Sequence, residues 1–563
     1  MSSMIVLGSL FLSFIIVIVG IIYNFIYIYI YKYTKNEKIP FAKECMKVND
    51  FIKTHYKKIS IFLFFLALFT SLYKFGSVPY GLHVDEAGMA YDAFLLANYG
   101  MDRYSNQFPV YLINFGGGQS ALYAYLVALL IKVFGYSIYV VRFPALLFRM
   151  ALVVCGYLLA RKNSGKLFGL TMQFLLAITP YFIMQSRWGL DCNLLVGALT
   201  ISVYFLITAL EKEHTKYFVI SGIFFGLSLY TYALSYVIVP LFLFLSLIYL
   251  LYLKKIKIKN ILVFGTPIFL LALPLMLMIL VNNGMIQEIR GLITIPALPG
   301  YRGAELSLNY IYENLYIFKS ILTFDNQEIF RTMLEYNALP SYGTLYYMAI
   351  PFVGIGFVIC ILNLIRSIKN KVFNSDSILV FWSLAVILCQ LMIITPNINK
   401  ANAIFFPLVY FVAKGVFYSA KKIKVFFPLT MVMFMLNFGL FSNYYFNDYN
   451  QDMMHQHLFA THYLEAVEYS NTLNTKMVYI EYNLSAEQHI YTLLFNRVPL
   501  EQFRREQITF DINNQSRTHI FGLPEVVDME AVYIMYHPLG SADELRNLGF
   551  EEIHFGDIGV FYR

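Results

Sequence analysis

The stretch Gln119-Ser-Ala-Leu-Tyr-Ala-Tyr-Leu-Val-Ala-Leu-Leu-Ile-Lys-Val-Phe134 decides how the rest of this 563-residue chain is threaded. It looks like a membrane span, but it is short and carries Gln119 and Lys132. A helix needs about 17 to 25 apolar residues to cross the hydrocarbon core, and such runs lie at about 4–30, 59–75, 137–160, 166–184, 190–210, 217–232, 235–253, 260–281, 345–366, 377–395, 401–418 and 424–442. With these twelve, the basic connectors 31–58, 161–166, 254–259, 366–371 and 421–424 all fall on one side, which the positive-inside rule makes cytoplasmic. Counting 119–134 as a thirteenth span would send every later basic connector outside. It is therefore expected to be a juxtamembrane helix lying on the outer face.

Composition supports this solvent assignment. With 59% hydrophobic, 18% aromatic and only 13% charged residues, and a mean hydropathy of +0.61, the chain carries too much apolar surface for a water-soluble core. The N-terminal run from Met1 to Tyr31 lacks a basic leader and a small-residue cleavage site, so it reads as a retained span. The five cysteines are scattered, with no disulfide or zinc spacing. The expected fold is mostly α: a polytopic membrane protein of about twelve transmembrane helices. Residues 1–58 form an extra span and basic linker, 59–442 the membrane module with external loops 76–136 and 282–344, and 443–563 an external α/β domain.

That last part holds 17 of the 34 acidic residues and only 7 of the 42 Lys and Arg. The net charge of +8 thus averages two unlike parts, and the basic excess of the membrane part is topological. It gives no reason to expect nucleic acid. Within the tail, 476–482, 518–522, 531–536 and 553–562 read as strands. Residues 485–494 and 541–548 open with serine followed by acids, as helices do.

The first external loop carries Gly81-Leu-His-Val-Asp-Glu-Ala-Gly88. Carboxylates at a bilayer edge are costly unless they serve a site. Neighbouring helical residues point about 100° apart, so Asp85 and Glu86 are expected to divide roles; they could also merely cap a loop helix. Asp92 shares the face of Asp85, which leaves room for a divalent cation without requiring one. Gly116-Gly-Gly118 lacks the Lys-Ser/Thr of a phosphate loop and reads as a hinge or close-approach site. His455, His457 and His462 lack acidic partners at ligand spacing, so no metal site is assigned. The tyrosines between Tyr23 and Tyr33 suit an interfacial belt.

In order and on the same side of the membrane, four elements resemble the GT-C glycosyltransferases that use polyprenyl-phosphate sugars, the protein O-mannosyltransferase and aminoarabinose transferase-like group. They are Val84-Asp85-Glu86, Phe134-Gly-Tyr-Ser137, Arg142-Phe-Pro-Ala145, and Pro180 to Asp191 with its Ser186-Arg187. The resemblance covers about residues 59–442. It implies single displacement at the anomeric carbon, inverting in class, with Asp85 as general base and Glu86, also placed in the catalytic pair, bound to Arg142. It further implies cations for the leaving lipid phosphate, for which Arg187, Arg290, Arg302 and Lys400 are candidates. His83, Gln119, Asp191 and Asn402 complete the expected substrate-binding set. The His-Pro-Pro element of the O-mannosyltransferases is replaced by Phe108-Pro-Val-Tyr111 and Asn114-Phe-Gly-Gly-Gly-Gln119, which argues against a protein acceptor. Expected partners are the bilayer, a polyprenyl-phosphate-sugar donor and a hydroxyl acceptor on glycan, teichoic acid, lipid or protein. High Lys, Ile, Asn and Phe usage points to an AT-rich bacterial source and hence to undecaprenyl phosphate. A lipid-saccharide transporter or a non-catalytic envelope subunit stays open, although no inverted repeat is present and the charges gather on one side rather than at midplane.

Overall fold

The computed structural model describes residues 40–563 except 116, 302–304, 324–336, 340, 423–425, 452, 482–488, 503–506, 513–514 and 537–541. The expected 4–30 span lies outside the described residues. Of the eleven others, eight are helices long and apolar enough to cross a membrane: Thr54–Leu72, Ile138–Ser164, Asp191–Lys212, Ser235–Tyr252, Ile258–Asn282, Tyr347–Asn370, Asn402–Ala420 and Phe426–Asn447. Three are shorter, Lys166–Ile178, Thr215–Ser228 and Asp376–Met392. At 1.5 Å per residue a 13-residue helix reaches only about 20 Å of the roughly 30 Å core. The first of these is cut by Pro180. Thr179 turns extended (ψ 127°) ahead of the proline, and a six-residue helix, Pro180–Gln185, follows.

The decisive 119–134 stretch splits in two. Gly117–Ser120 is a strand (β2) paired antiparallel with Tyr111–Asn114 (β1), and Leu122–Phe134 is a helix. One face of that helix (Tyr123, Ala124, Val127, Ala128, Ile131) is buried, while Leu129, Val133 and Phe134 are exposed. It packs chiefly beside the helix Val84–Tyr99 and against the start of the Ile138 helix, through Val141 and Ala145, as a juxtamembrane element would.

One hydrophobic core joins the long helices. At the end that carries the basic connectors, Lys414 bridges buried Asp376 and Asn163 (Nζ to Oδ1, 2.9 and 2.7 Å), and Tyr410 donates to the same Asp376 oxygen at 2.6 Å. A second core lies at the opposite end. It unites the Val84 and Leu122 helices with the C-terminal layer.

That layer is a six-stranded sheet ordered β4-β5-β3-β6-β8-β7. Its strands are Met477–Ile480 (β3), Gln507–Ile512 (β4), Gln515–Phe521 (β5), Val532–Tyr536 (β6), Glu551–Phe555 (β7) and Ile558–Tyr562 (β8). β3 runs parallel to β5 and β6, and the other pairings are antiparallel. The single strand expected over 553–562 is a hairpin instead. It turns at Gly556, whose φ of +53° and place against the His462 ring exclude a side chain. The layer is also not separate at residue 443. Tyr91 of the Val84 helix donates to the Val498 carbonyl at 3.0 Å, and Leu82 N donates to Phe459 O at 2.8 Å.

Candidate active site

The first turn of the Val84–Tyr99 helix builds the site. His83 caps it, its Nδ1 accepting the Asp85 backbone N–H at 3.1 Å. A nitrogen that accepts a backbone proton carries none, so the ring is neutral, and burial holds its pKa below the usual value against the pull of Asp85 and Glu86. His83 packs edge-on to Trp188 and Phe459. Both acids suit the positive end of the helix, and the 100° rotation between them sends them apart.

Glu86 turns inward and is fully buried. Arg142 grips it with Nε on Oε1 (2.8 Å) and Nη2 on Oε2 (3.0 Å), and Gly189 N donates to Oε1 at 2.6 Å. The guanidinium also donates to Pro79 O (2.7 Å) and Gly81 O (2.8 Å). Two buried charges are tolerable only with such complete hydrogen bonding. Glu86 thus fastens three segments together, with both of its oxygens engaged. A Cβ at Gly189 would sit 3.2 Å from Glu86 Oε1, a tight contact to which the carboxylate would have to yield.

Asp85 turns outward, with 38% of its side chain exposed. Asn114 Nδ2 donates to its Oδ1 at 2.8 Å. Its Oδ2 lies 3.7 Å from the unprotonated His83 Nδ1, too far and of the wrong polarity for a hydrogen bond. One carboxylate oxygen is anchored and the other is open.

The hairpin links this group to Asp191. Ser120 N donates to Asp191 Oδ2 (3.0 Å) and Cys192 N to Oδ1 (2.7 Å). Asn402 Nδ2 donates to Cys192 O at 2.7 Å. Gln119 Oε1 and Asn402 Oδ1 are buried without a hydrogen-bond partner, which is rare for polar atoms in a finished protein interior. Trp188 Nε1 donates to Asn337, whose amide donates to Asn399, so the turns around 188, 337 and 400 meet.

The cations expected to meet a lipid phosphate fare differently. Arg187 is buried and donates to five backbone carbonyls, Thr70, Ser71, Tyr73, Lys74 and Val78, at 2.7–3.0 Å. A guanidinium has five N–H groups, so none is left for a phosphate. The expectation for Arg187 is corrected to closing the exposed carbonyl end of the Pro40–Leu72 helix. Arg290 is exposed and pairs with Glu288 at 3.1 Å. Lys400 is half-buried, with Nζ donating to Ile394 O at 2.7 Å. Arg302 lies outside the described residues. No group of three or more metal-ligating side chains occurs among the described residues; Asp92 is bound to Arg103 and His455 to the Tyr80 carbonyl.

A family model described as dolichyl-phosphate-mannose-protein mannosyltransferase matches residues 119–281. No curated protein sequence matches the chain. Among solved structures, ArnT from Cupriavidus metallidurans in the apo state superposes with a TM-score of 0.52 at 10% identity, over 91% of this chain and 98% of ArnT. The fold is that of the GT-C glycosyltransferases. ArnT bound to undecaprenyl phosphate gives 0.50 at 10% identity, over 90% and 97% of the two chains. Archaeal oligosaccharyltransferase AglB from Archaeoglobus fulgidus, in complex with an inhibitory peptide and a dolichol-phosphate, gives 0.44 at 12% identity. That match takes in 79% of this chain and 64% of AglB, so the chain spans just under two thirds of AglB's length.

Within this GT-C fold, charged groups besides the Lys414–Asp376 pair escaped the sequence reading. Arg103 locks Asp92, and Arg149, buried in the Ile138 helix, donates to Ala67 O, Thr70 Oγ1 and Ala177 O at 2.9–3.1 Å. The second could have been suspected from position, because an arginine inside a span is expensive without a duty.

Proposed function

We propose that the chain is a membrane glycosyltransferase that moves a sugar from a polyprenyl-phosphate carrier to an acceptor hydroxyl, with Asp85 as general base. The observation that carries this reading is the asymmetry of the acid pair: Glu86 is buried and saturated, while Asp85 is held through one oxygen and open at the other. In the step, the acceptor O–H proton passes to Asp85 Oδ2 and the acceptor oxygen attacks the anomeric carbon. The bond to the phosphate oxygen breaks with its electron pair, giving inversion and a free polyprenyl phosphate. A hydroxyl is a weak nucleophile until a positioned base takes its proton.

Two further features support a sugar substrate. The unpartnered oxygens of Gln119 and Asn402, next in chain or by contact to the segments that hold Asp191, suit the hydroxyl donors of a saccharide. Lys400 supplies a cation at the same end of the molecule, and fixed positive charge would stabilise the leaving phosphate. By the charge of its connectors, that end faces away from the cytoplasm. The acceptor is a cell-surface glycan, teichoic acid, lipid or protein. The test is mass analysis of envelope lipids and polymers from a strain lacking the gene. Loss of one pentose or hexose increment from a surface molecule, with accumulation of a polyprenyl-phosphate sugar, is expected. Identical masses in both strains, with no accumulated carrier, would remove the assignment.

A further inference from the structure

Asp85 is the last member of a chain of fixed groups that begins deep in the same helix. Asp92, two turns on, is fully buried and receives Arg103 three times: backbone N and Nε on Oδ1 at 3.0 Å each, and Nη2 on Oδ2 at 2.7 Å. The same Nη2 reaches Asn114 Oδ1 at 3.3 Å. A guanidinium can only donate. Asn114 must therefore turn its oxygen to Arg103, which leaves its NH2 for Asp85 and fixes which way round the amide sits.

The local backbone is shaped for this contact. Gly88 stands between the members, and a Cβ there would lie 2.7 Å from Arg103 Nη2 and 2.8 Å from Asn114 Oδ1. Asn114 ends β1 and is buried. Arg103 lies over the Phe115 ring at 5.7 Å. Asp92, Arg103 and Asn114 thus form a relay that ends on one oxygen of Asp85.

We propose that Asn114, oriented by the Asp92–Arg103 pair, is a positioning residue of the transfer reaction: it pins Asp85 Oδ1 so that Oδ2 is presented to the acceptor hydroxyl. The proposal rests on the reading of Asp85 as general base. Asn114 exchanges no proton, because an amide has none to give at neutral pH. It acts by orientation.

The full chain, reconstituted in liposomes, is assayed with total lipid extract of the deletion strain as donor and its washed envelope as acceptor, reading release of polyprenyl phosphate by mass spectrometry. Asn114→Ala is expected to lower kcat by roughly 10- to 100-fold, the scale of one hydrogen bond to a charged group. KM, binding of undecaprenyl phosphate and Tm are expected to stay near wild type. Asn114→Ser, which keeps a shorter donor, is expected to fall between the two, and it carries the test if the alanine variant does not fold. A wild-type kcat for Asn114→Ala would overturn the proposal. So would a loss accompanied by a fall in Tm and lipid binding, which is the mark of a merely structural role. Asp85→Asn run in parallel separates the two readings. If it turns over normally, the base assignment itself fails; if it is inactive while Asn114→Ala is not impaired, only the positioning role fails.

Discussion

At the scale of single residues, the two acids of Val84-Asp-Glu86 part company because a helix rotates each residue by 100°. That much could be read from adjacency alone. The pairing of Glu86 with Arg142 came from resemblance, and the structure shows its cause: a bidentate, fully desolvated contact closed by Gly189. Glu86→Gln leaves Arg142 buried without a counter-charge. It is expected to cost about 3–5 kcal/mol of stability, seen as a large drop in Tm in detergent; a wild-type Tm would contradict the geometry. Arg187 shows the limit of reading charge from sequence. An arginine beside an external turn looks available for phosphate, and nothing in Ser186-Arg187-Trp188 reveals that five carbonyls of a helix end lie around it. Arg187→Ala is therefore expected to impair folding, and any folded fraction should bind undecaprenyl phosphate as wild type does. A well-folded variant with weakened lipid binding would restore the phosphate role.

At the scale of elements, hydropathy located the long helices because apolar length is a local property. It overestimated three of them, where a proline or a turn ends the helix within an apolar run. The strands of the C-terminal layer were partly readable from β-branched runs, but β4 was not, since its sequence Gln507-Ile-Thr-Phe-Asp-Ile512 gains its role from pairing with β5. Contacts such as Asp92 with Arg103 leave no periodic trace, because the segment between them includes an irregular turn.

The C-terminal layer also carries a pH dependence. Burial, reinforced by Arg517, pushes His519 on β5 down to about 3, against about 6.5 in an unfolded chain. The folded form stays neutral while the unfolded form gains a proton below pH 6.5. The contribution of His519 to stability is thus complete above that pH and is lost progressively as pH falls towards 3. Protection factors over 515–521, taken relative to the intrinsic exchange rate at each pH, are expected to fall on acidification through this window, and His519→Phe to flatten the slope. An unchanged slope in the variant would rule out His519 as the source.

At the scale of the whole molecule, charge and hydropathy change near residue 443, yet a single core crosses that point. Tyr463, Val467, Ile480 and Ile490 pack with Ala87, Tyr91, Leu95 and Tyr123 in one buried cluster. The residues 74–82 that lead to Asp85 are held by the same region, through Lys74 Nζ on Phe446 O (2.8 Å), Asn450 Nδ2 on Ser77 O (2.7 Å) and Leu82 N on Phe459 O. A sequence composition shift marks a change of solvent, not of cooperative unit. A chain ending at 442 is accordingly expected to lose ordered packing of the Val84 helix and to aggregate on gel filtration. A monodisperse product with wild-type Tm would show that the C-terminal layer folds independently of the site.

The division of labour between an anchored Glu86 and an open Asp85 is tested most directly by the initial rate of polyprenyl phosphate release from the reconstituted Asp85→Asn chain. Removing the base while keeping its shape should lower the rate by roughly 10²- to 10⁴-fold, with Tm and undecaprenyl phosphate binding retained. Turnover within a few-fold of wild type would contradict it.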